Sequence, residues 1–449
     1  MKYANETSRI YVLALVSLTI IGALSVITSK FYSADGGNYL FDLIISEELH
    51  SFQVGRTFAH YLLKLPAWIA IKLDVTNFKI ISSLVGIPFF LQIILSLGCT
   101  RWFLSKEHKN LIILPILSIF VFILNTEYAI ESESITLASF FWPVFAFLYC
   151  NKQKTEYSKL IVFILFALIL PYTYETFFVC SLPLIWSFYK KSHLFLKIMF
   201  IPYYVIASIH QLYNVIFHEY ASNTKSFIYS IYPGLFGLTP WGRIEFLNVH
   251  LLGIFGLFGY LIYLLLTKRD RKINYKALYL FCMITFSVVL FNSYLLSYTS
   301  QFTTRTLNSI SPLFFVFIIY LLDKNNLYDK ITRYNKLIVL IVLTQTLVSF
   351  LTTYHWYKFS RSLNESLLQN KGIFKLDIKI VDPVEPRGTY LLSNFQIWSL
   401  PVYSVFLNDN KNIKSLAYYW DNHHMSDHLI KALRTQETLQ KYGFELSYE

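Results

Sequence analysis

Charge is the scarcest property of this chain: of 449 residues only 15% are Asp, Glu, Lys or Arg, against 55% hydrophobic. A water-soluble globule needs about a quarter of its residues charged to cover itself, so that class is excluded. Glycine is sparse, at 15 residues. No glycine-rich loop of the kind that cradles a nucleotide's phosphates is present. Nor are there the paired Gly/Pro-broken helices, in two related halves, that mark a secondary transporter. Cysteine is limited to Cys99, Cys150, Cys180 and Cys282. All fall in apolar runs or at their cytoplasmic ends, where no disulfide on the far side can form. Repeats of 20–50 residues and low-complexity tracts are also lacking.

What the chain does have is long apolar runs of roughly 17–25 residues, the length an α-helix needs to cross the hydrocarbon core. Such runs must be helical, because lipid offers the backbone no hydrogen-bond partner. Eleven are expected: Ile10 to Ser29, Lys79 to Phe103, Leu111 to Thr126, Ser134 to Cys150, Leu160 to Pro171, Thr173 to Tyr189, Leu194 to Asn214, Val249 to Thr267, Ala277 to Tyr298, Leu307 to Leu322 and Leu337 to Tyr354. A twelfth stretch, Phe58 to Leu73, is interrupted by Lys64, Pro66 and Lys72. It is expected to lie in the interface with its charges at headgroup level.

Lys and Arg set the orientation. About twenty fall on the N-terminal side, from Lys2 and Arg9 through the loops at Lys106, Lys152, Lys190, Arg269 and Arg333, against about eight in the opposite loops. This places the N-terminus in the cytoplasm and the C-terminal tail outside. The net charge of +12 is therefore a topology signal and not a nucleic-acid footprint. Ile27-Thr28-Ser29-Lys30 after the first helix is no small-residue cleavage site, so that helix is expected to be a retained anchor.

The far side is rich in carboxylates: Asp35, Asp42, Glu47, Glu48 and Asp74 in the first loop, then Glu127, Glu131 and Glu133, with Glu175 at the next turn. Isolated cations accompany them, among them Arg56, Arg243 and Arg305. Acids with single arginines on one face of a bundle suit a phosphate-bearing lipid substrate. In the first loop (30–78) Ser33-Ala34-Asp35-Gly36-Gly37 is expected to hold Asp35 on a tight turn. A short amphipathic helix is expected over Asn38 to Leu49, with Asp42 and Glu48 nearer its polar side.

Beyond a membrane bundle of residues 1–356, residues 357–449 are water-compatible and read as a small extracytoplasmic α/β domain. Strands are expected at Ile373–Val381, Thr389–Ser393 and Ile413–Trp420, and helices at Phe395–Leu407 and Ser426–Lys441.

Tyr32-Ser33-Ala34-Asp35-Gly36-Gly37 and Gly55-Arg56-Thr57-Phe58, set in about eleven spans with an extracytoplasmic tail, resemble an acidic turn and Gly-Arg element of the C-type (GT-C) integral membrane glycosyltransferases. Within that group the chain is most similar to bacterial O-antigen glucosyltransferases of serotype-converting clusters. Those enzymes often carry two adjacent acids where this chain has Ala34-Asp35, so Asp42 or Glu48 can share or take the role. The resemblance implies an all-α polytopic bundle in the bacterial inner membrane. It implies transfer of a sugar, glucose in the nearest group, from a polyprenyl-phosphate donor to a lipid-linked glycan on the periplasmic face. No cofactor is implied, and a flippase is the expected partner.

The residues suit that chemistry. An inverting displacement needs a carboxylate to take the acceptor hydroxyl's proton, help typically worth ~10²–10⁴ in rate. Asp35 is the expected base; the plainer alternative is a helix cap. A positioned arginine can stabilise the departing lipid phosphate. Arg305 is expected there, with Arg56 and Arg243 as rivals and a snorkelling cation as the alternative. Glu127 and Glu131, like Glu133, bind acceptor hydroxyls or simply wet a short loop. Glu175, after Pro171 in an apolar stretch, is expected to face a cavity or a partner. His423, His424 and His428 form no spaced ligand pattern, so no metal is expected. The competing classes are a polysaccharide polymerase or ligase and a lipid-linked sugar transporter.

Overall fold

A computed structural model describes residues 2–32, 35–51, 53–124, 133–150, 156–192, 194–217, 309–322 apart from 317 and 321, 335–375, 400–407, 412–413, 415–418, 440–442 and 444–446. The expected spans Val249–Thr267 and Ala277–Tyr298, the strand at 389–393 and most of the helix at 426–441 lie outside these residues.

The helices are α1 (Lys2–Ile27), α2 (Asp35–Ser46), α3 (Thr57–Lys72), α4 (Phe78–Phe103), α5 (Ile113–Ser118), α6 (Glu133–Cys150), α7 (Tyr157–Ile169), α8 (Phe177–Lys191), α9 (Leu194–Phe217), α10 (Ser309–Tyr320), α11 (Asn335–Gln369) and α12 (Leu400–Leu407). Among the described residues five are long and apolar enough to cross a membrane: Glu6–Ile27 of α1, then α4, α6, α9 and α11; three shorter apolar helices coincide with α7, α8 and α10. The chain is a helical membrane protein.

Membrane helices are apolar on both faces, one toward protein and one toward lipid. In α4 the buried face carries Ile81, Val85, Phe89, Ile93 and Leu97, spaced four apart, while Ile80, Ile87, Leu91 and Leu95 are exposed. α1 repeats the pattern, with Ile10, Ala14, Leu18 and Ile21 buried and Val12, Val16 and Ile20 exposed.

Two expectations are corrected, for the runs Leu111–Thr126 and Leu337–Tyr354. Leu111–Thr126 is not one regular span: a 3₁₀ stretch (Lys106–Ile112) leads into α5 and then a π-helical turn over Ile119–Ile123. That turn is built of β-branched and aromatic residues, which lose the most side-chain freedom in a regular helix. α3 is uninterrupted through Pro66. α11 runs on past Tyr354 to Gln369. At 1.5 Å per residue it is about 52 Å long, well beyond the ~30 Å hydrocarbon core.

The chain divides into two compact units: residues 1–15, 96–126 and 136–345, and residues 16–95, 127–135 and 346–449. The first is held by aromatic stacking. Phe147 lies 4.0 Å from Phe163, and Phe188 stacks on Phe200 at 5.3 Å. The second has its own core: Phe406 of α12 meets Tyr32 at 5.2 Å and Phe78 at 5.3 Å, Tyr32 shares a hydrogen bond with Ser82 at 2.7 Å, and Trp356 donates to the Thr28 carbonyl at 2.9 Å. Here strand β1 (Gly372–Lys375) pairs in parallel with β3 (Ser415–Tyr418), and β2 (Asn412–Ile413) with β4 (Glu445–Leu446).

A chain poor in glycine must turn by other means. α1, α2 and α3 are followed by Ser29, Glu47 and Asp74, all with φ between 49° and 56°, where a Cβ is strained and glycine is usual.

Candidate functional site

The second unit gathers charge in its interior. α2 starts at Asp35, so Gly36-Gly37 lie in its first turn and not in the expected tight turn; Gly372 is the only glycine of positive φ among the described residues. Glycine permits a turn without requiring one, and an acid as the first residue of a helix is favoured by the helix dipole. α2 buries Tyr39, Leu40, Leu43 and Ile44, with Asp42 at the edge of that face. It ends at Ser46, not Leu49, leaving Glu48 exposed in the following loop.

α3 is amphipathic in an unexpected sense. Its buried stripe is Ala59, His60, Leu63, Lys64, Ala67, Ala70 and Ile71, while Phe58, Leu65 and Ile69 are exposed. Lys64 is therefore not at headgroup level: its side chain is wholly buried and donates to Asp42 Oδ2 and, at 3.4 Å, to the His50 carbonyl. His50 Nε2 lies 3.1 Å from the other Asp42 oxygen. Burial pushes the Lys64 ammonium below its ordinary value, and the Asp42 and Glu133 carboxylates push part of the way back.

Glu133, the first residue of α6, is the second centre. Its Oε1 accepts from the Tyr39 hydroxyl and lies 2.8 Å from His60 Nε2; its Oε2 accepts from Arg56 Nη1 at 3.3 Å. Arg56, His60 and Glu133 are each at most 2% exposed. The Tyr39 ring joins the two centres, 5.2 Å from the His60 ring and 5.4 Å from Lys64 Nζ, with Phe89 stacked at 6.4 Å. Ion pairs this deep compensate their desolvation only when well bonded, and an ionisable group in a membrane protein's interior is by default a functional one.

The structure thus brings Asp42 and Arg56 into one network and leaves Glu48 outside it. Asp35 opens the helix that carries Asp42. Glu175 is in the other unit, fully buried in the turn before α8. Neutral bonds surround that turn: Thr176 donates to Ser309 at 2.6 Å, and Gln211 to the Pro171 carbonyl at 2.7 Å. Glu127, Glu131, Arg243, Arg305, His423, His424 and His428 lie outside the described residues. Among the described residues no three metal-ligating side chains converge.

Sequence reasoning missed Tyr39, His50, His60 and Lys64, and treated Glu133 as a loop acid. One signal was available: His60 and Lys64 are spaced four apart, which puts two ionisable side chains on one face of an apolar helix, with Arg56 just before its start. No family model, curated protein or solved structure matches this chain.

Proposed function

We propose that the chain is a C-type integral membrane glycosyltransferase of the bacterial inner membrane, moving a sugar from a polyprenyl-phosphate carrier to a lipid-linked polysaccharide at the periplasmic face. In this reading the bundle has about eleven spans, with the N-terminus inside and residues 357–449 forming a small periplasmic α/β domain. The observation that carries it is the clamp on α2: two buried ties, Tyr39 to Glu133 and Asp42 to Lys64, fix the helix that begins with Asp35. Catalytic carboxylates work best on elements locked by such supporting contacts.

Asp35 takes the proton of the acceptor hydroxyl as its oxygen attacks the anomeric carbon, and the lipid phosphate leaves with the bonding pair. Asp42, bonded through both oxygens, positions α2 and is not itself the base. Arg305 or Arg243 meets the departing phosphate. Arg56, turned onto Glu133, holds the scaffold instead.

The test supplies the purified full-length protein with polyprenyl-phosphate glucose and a lipid-linked glycan, and measures released polyprenyl phosphate. Asp35→Asn is expected to lower the rate by ~10²–10⁴ with expression and helix content unchanged. Wild-type turnover in that variant would remove Asp35 from the mechanism. Substrate crossing vesicles without any chemical product would favour a transporter.

A further inference from the structure

Within the same unit, one line of hydrogen bonds has a chemical direction of its own. Glu133 Oε1 lies 2.8 Å from His60 Nε2, and His60 Nδ1 lies 2.8 Å from Ser51 Oγ. A buried carboxylate bonded to Nε2 places the imidazole proton there, because Glu133 can only accept. Nδ1 then carries the lone pair, and it faces the Ser51 hydroxyl, whose single proton is shared between Nδ1 and the Gln53 carbonyl. This is the acid–base–nucleophile order of serine hydrolases with the two ring nitrogens exchanged, the acid on Nε2 and the serine on Nδ1.

The supporting contacts suit the role. Tyr39 and Arg56 bond the same Glu133, keeping it oriented. The residue before Ser51 is fixed at both its carbonyl, by Lys64, and its ring, by Asp42. Ser51 Oγ is also held in a local turn, 3.0 Å from the Gln53 carbonyl and 3.3 Å from the Gln53 amide. Exposure is graded in the required sense: His60 and Glu133 are buried, whereas Ser51 is half-buried. The helix carrying the base exposes Phe58, Leu65 and Ile69, an apolar face suited to substrates that partition into lipid.

We propose that Ser51, His60 and Glu133 form a nucleophilic triad that accepts an acyl group from a lipid-soluble ester. The Ser51 oxygen attacks the ester carbonyl carbon as its proton passes to His60 Nδ1. The ester C–O bond then breaks, and the leaving alcohol takes that proton. Water, or a second hydroxyl, attacks the acyl-serine by the reverse proton path and regenerates Ser51. No oxidant or metal enters the balance. This activity stands apart from glycosyl transfer, which uses Asp35, so the two readings can fail separately.

The full-length protein in lipid nanodiscs is treated with a fluorophosphonate, which phosphonylates an activated serine with loss of fluoride, and the modified peptide is identified by mass spectrometry. In parallel, p-nitrophenyl octanoate is added and the initial burst of p-nitrophenolate is measured. The expected result is one adduct, on Ser51, and a burst close to one equivalent. Both vanish in Ser51→Ala, and the rate of labelling falls at least tenfold in His60→Gln. The wild-type protein is decisive by itself, whether or not the variants fold: an unmodified Ser51 with no burst overturns the triad. Equal labelling rates in wild type and a folded His60→Gln also overturn it.

Discussion

Among the described residues, the two units show polar contacts of different kinds. In the first, Thr176 donates to Ser309 and Gln211 to the Pro171 carbonyl on either side of the turn that holds Glu175, and the unit also stacks the rings of Phe147 on Phe163 and Phe188 on Phe200. In the second, α2, α3 and the start of α6 are joined by full charges, Asp42 with Lys64 and Glu133 with Arg56. Neutral bonds are cheap to bury and worth little each; buried ion pairs are costly to assemble and costlier to break. The presence of such pairs around the helix that begins with Asp35 holds that helix in one geometry.

The contrast is most easily broken at Lys64. Replacing it with methionine leaves one Asp42 oxygen beside an apolar side chain while His50 keeps the other, and is expected to destabilise the protein by about 3 kcal/mol, read from thermal unfolding in detergent. The sign with pH follows from the lowered value of Lys64. Between its folded value and the ordinary 10.5 the unfolded chain holds more protons there. Stability therefore rises with pH across that interval in wild type, and this component is absent from Lys64→Met.

The next largest effect concerns packing. A Cβ on Gly86 would sit 2.6 Å from Phe31 Cδ1, and Phe31 is fully buried. Gly86→Ala is expected to cost about 1–3 kcal/mol, measured the same way; an unchanged melting temperature would show that this contact relaxes freely. In the first unit, Gln211→Leu removes two neutral bonds, its own to the Pro171 carbonyl and that from Asn214 Nδ2, and is expected to cost only about 1.2 kcal/mol. A loss as large as that of Lys64→Met would erase the distinction between the units.

The smallest effect is at Glu47, which accepts from Lys441 and Tyr442, both at 2.9 Å. Burial alone would raise its carboxyl, but these bonds and the Lys441 charge outweigh it and leave the group below its ordinary 4.5. Its contribution is present above that ordinary value and is lost as pH falls through the lowered one. Glu47→Gln is expected to remove under about 1 kcal/mol and to flatten that part of the acid unfolding curve.

Much of the membrane fold was legible because apolar length is a direct signal: α1, α4, α6 and α9 lie where the runs predict. The ends were less so. Nothing in the water-compatible composition after Tyr354 forbids a helix, so α11 continues. Asp42 was marked as polar-side from the spacing of Leu40, Phe41 and Ile44, but its partner was not. A lysine in an apolar stretch reads equally as a snorkelling cation or a buried one, and only an acid brought from another element decides between them. Glu133 supplies the same lesson, since its three ties reach residues of the first loop. That loop sequence carries no mark of which distant acid it will meet.

Charge pairing clamps α2 against α3. A double-mutant cycle of Asp42→Asn and Lys64→Met, scored by unfolding free energy, measures that pairing directly. A coupling of about 1–3 kcal/mol is expected, whereas single losses that add within about 0.5 kcal/mol would contradict the clamp.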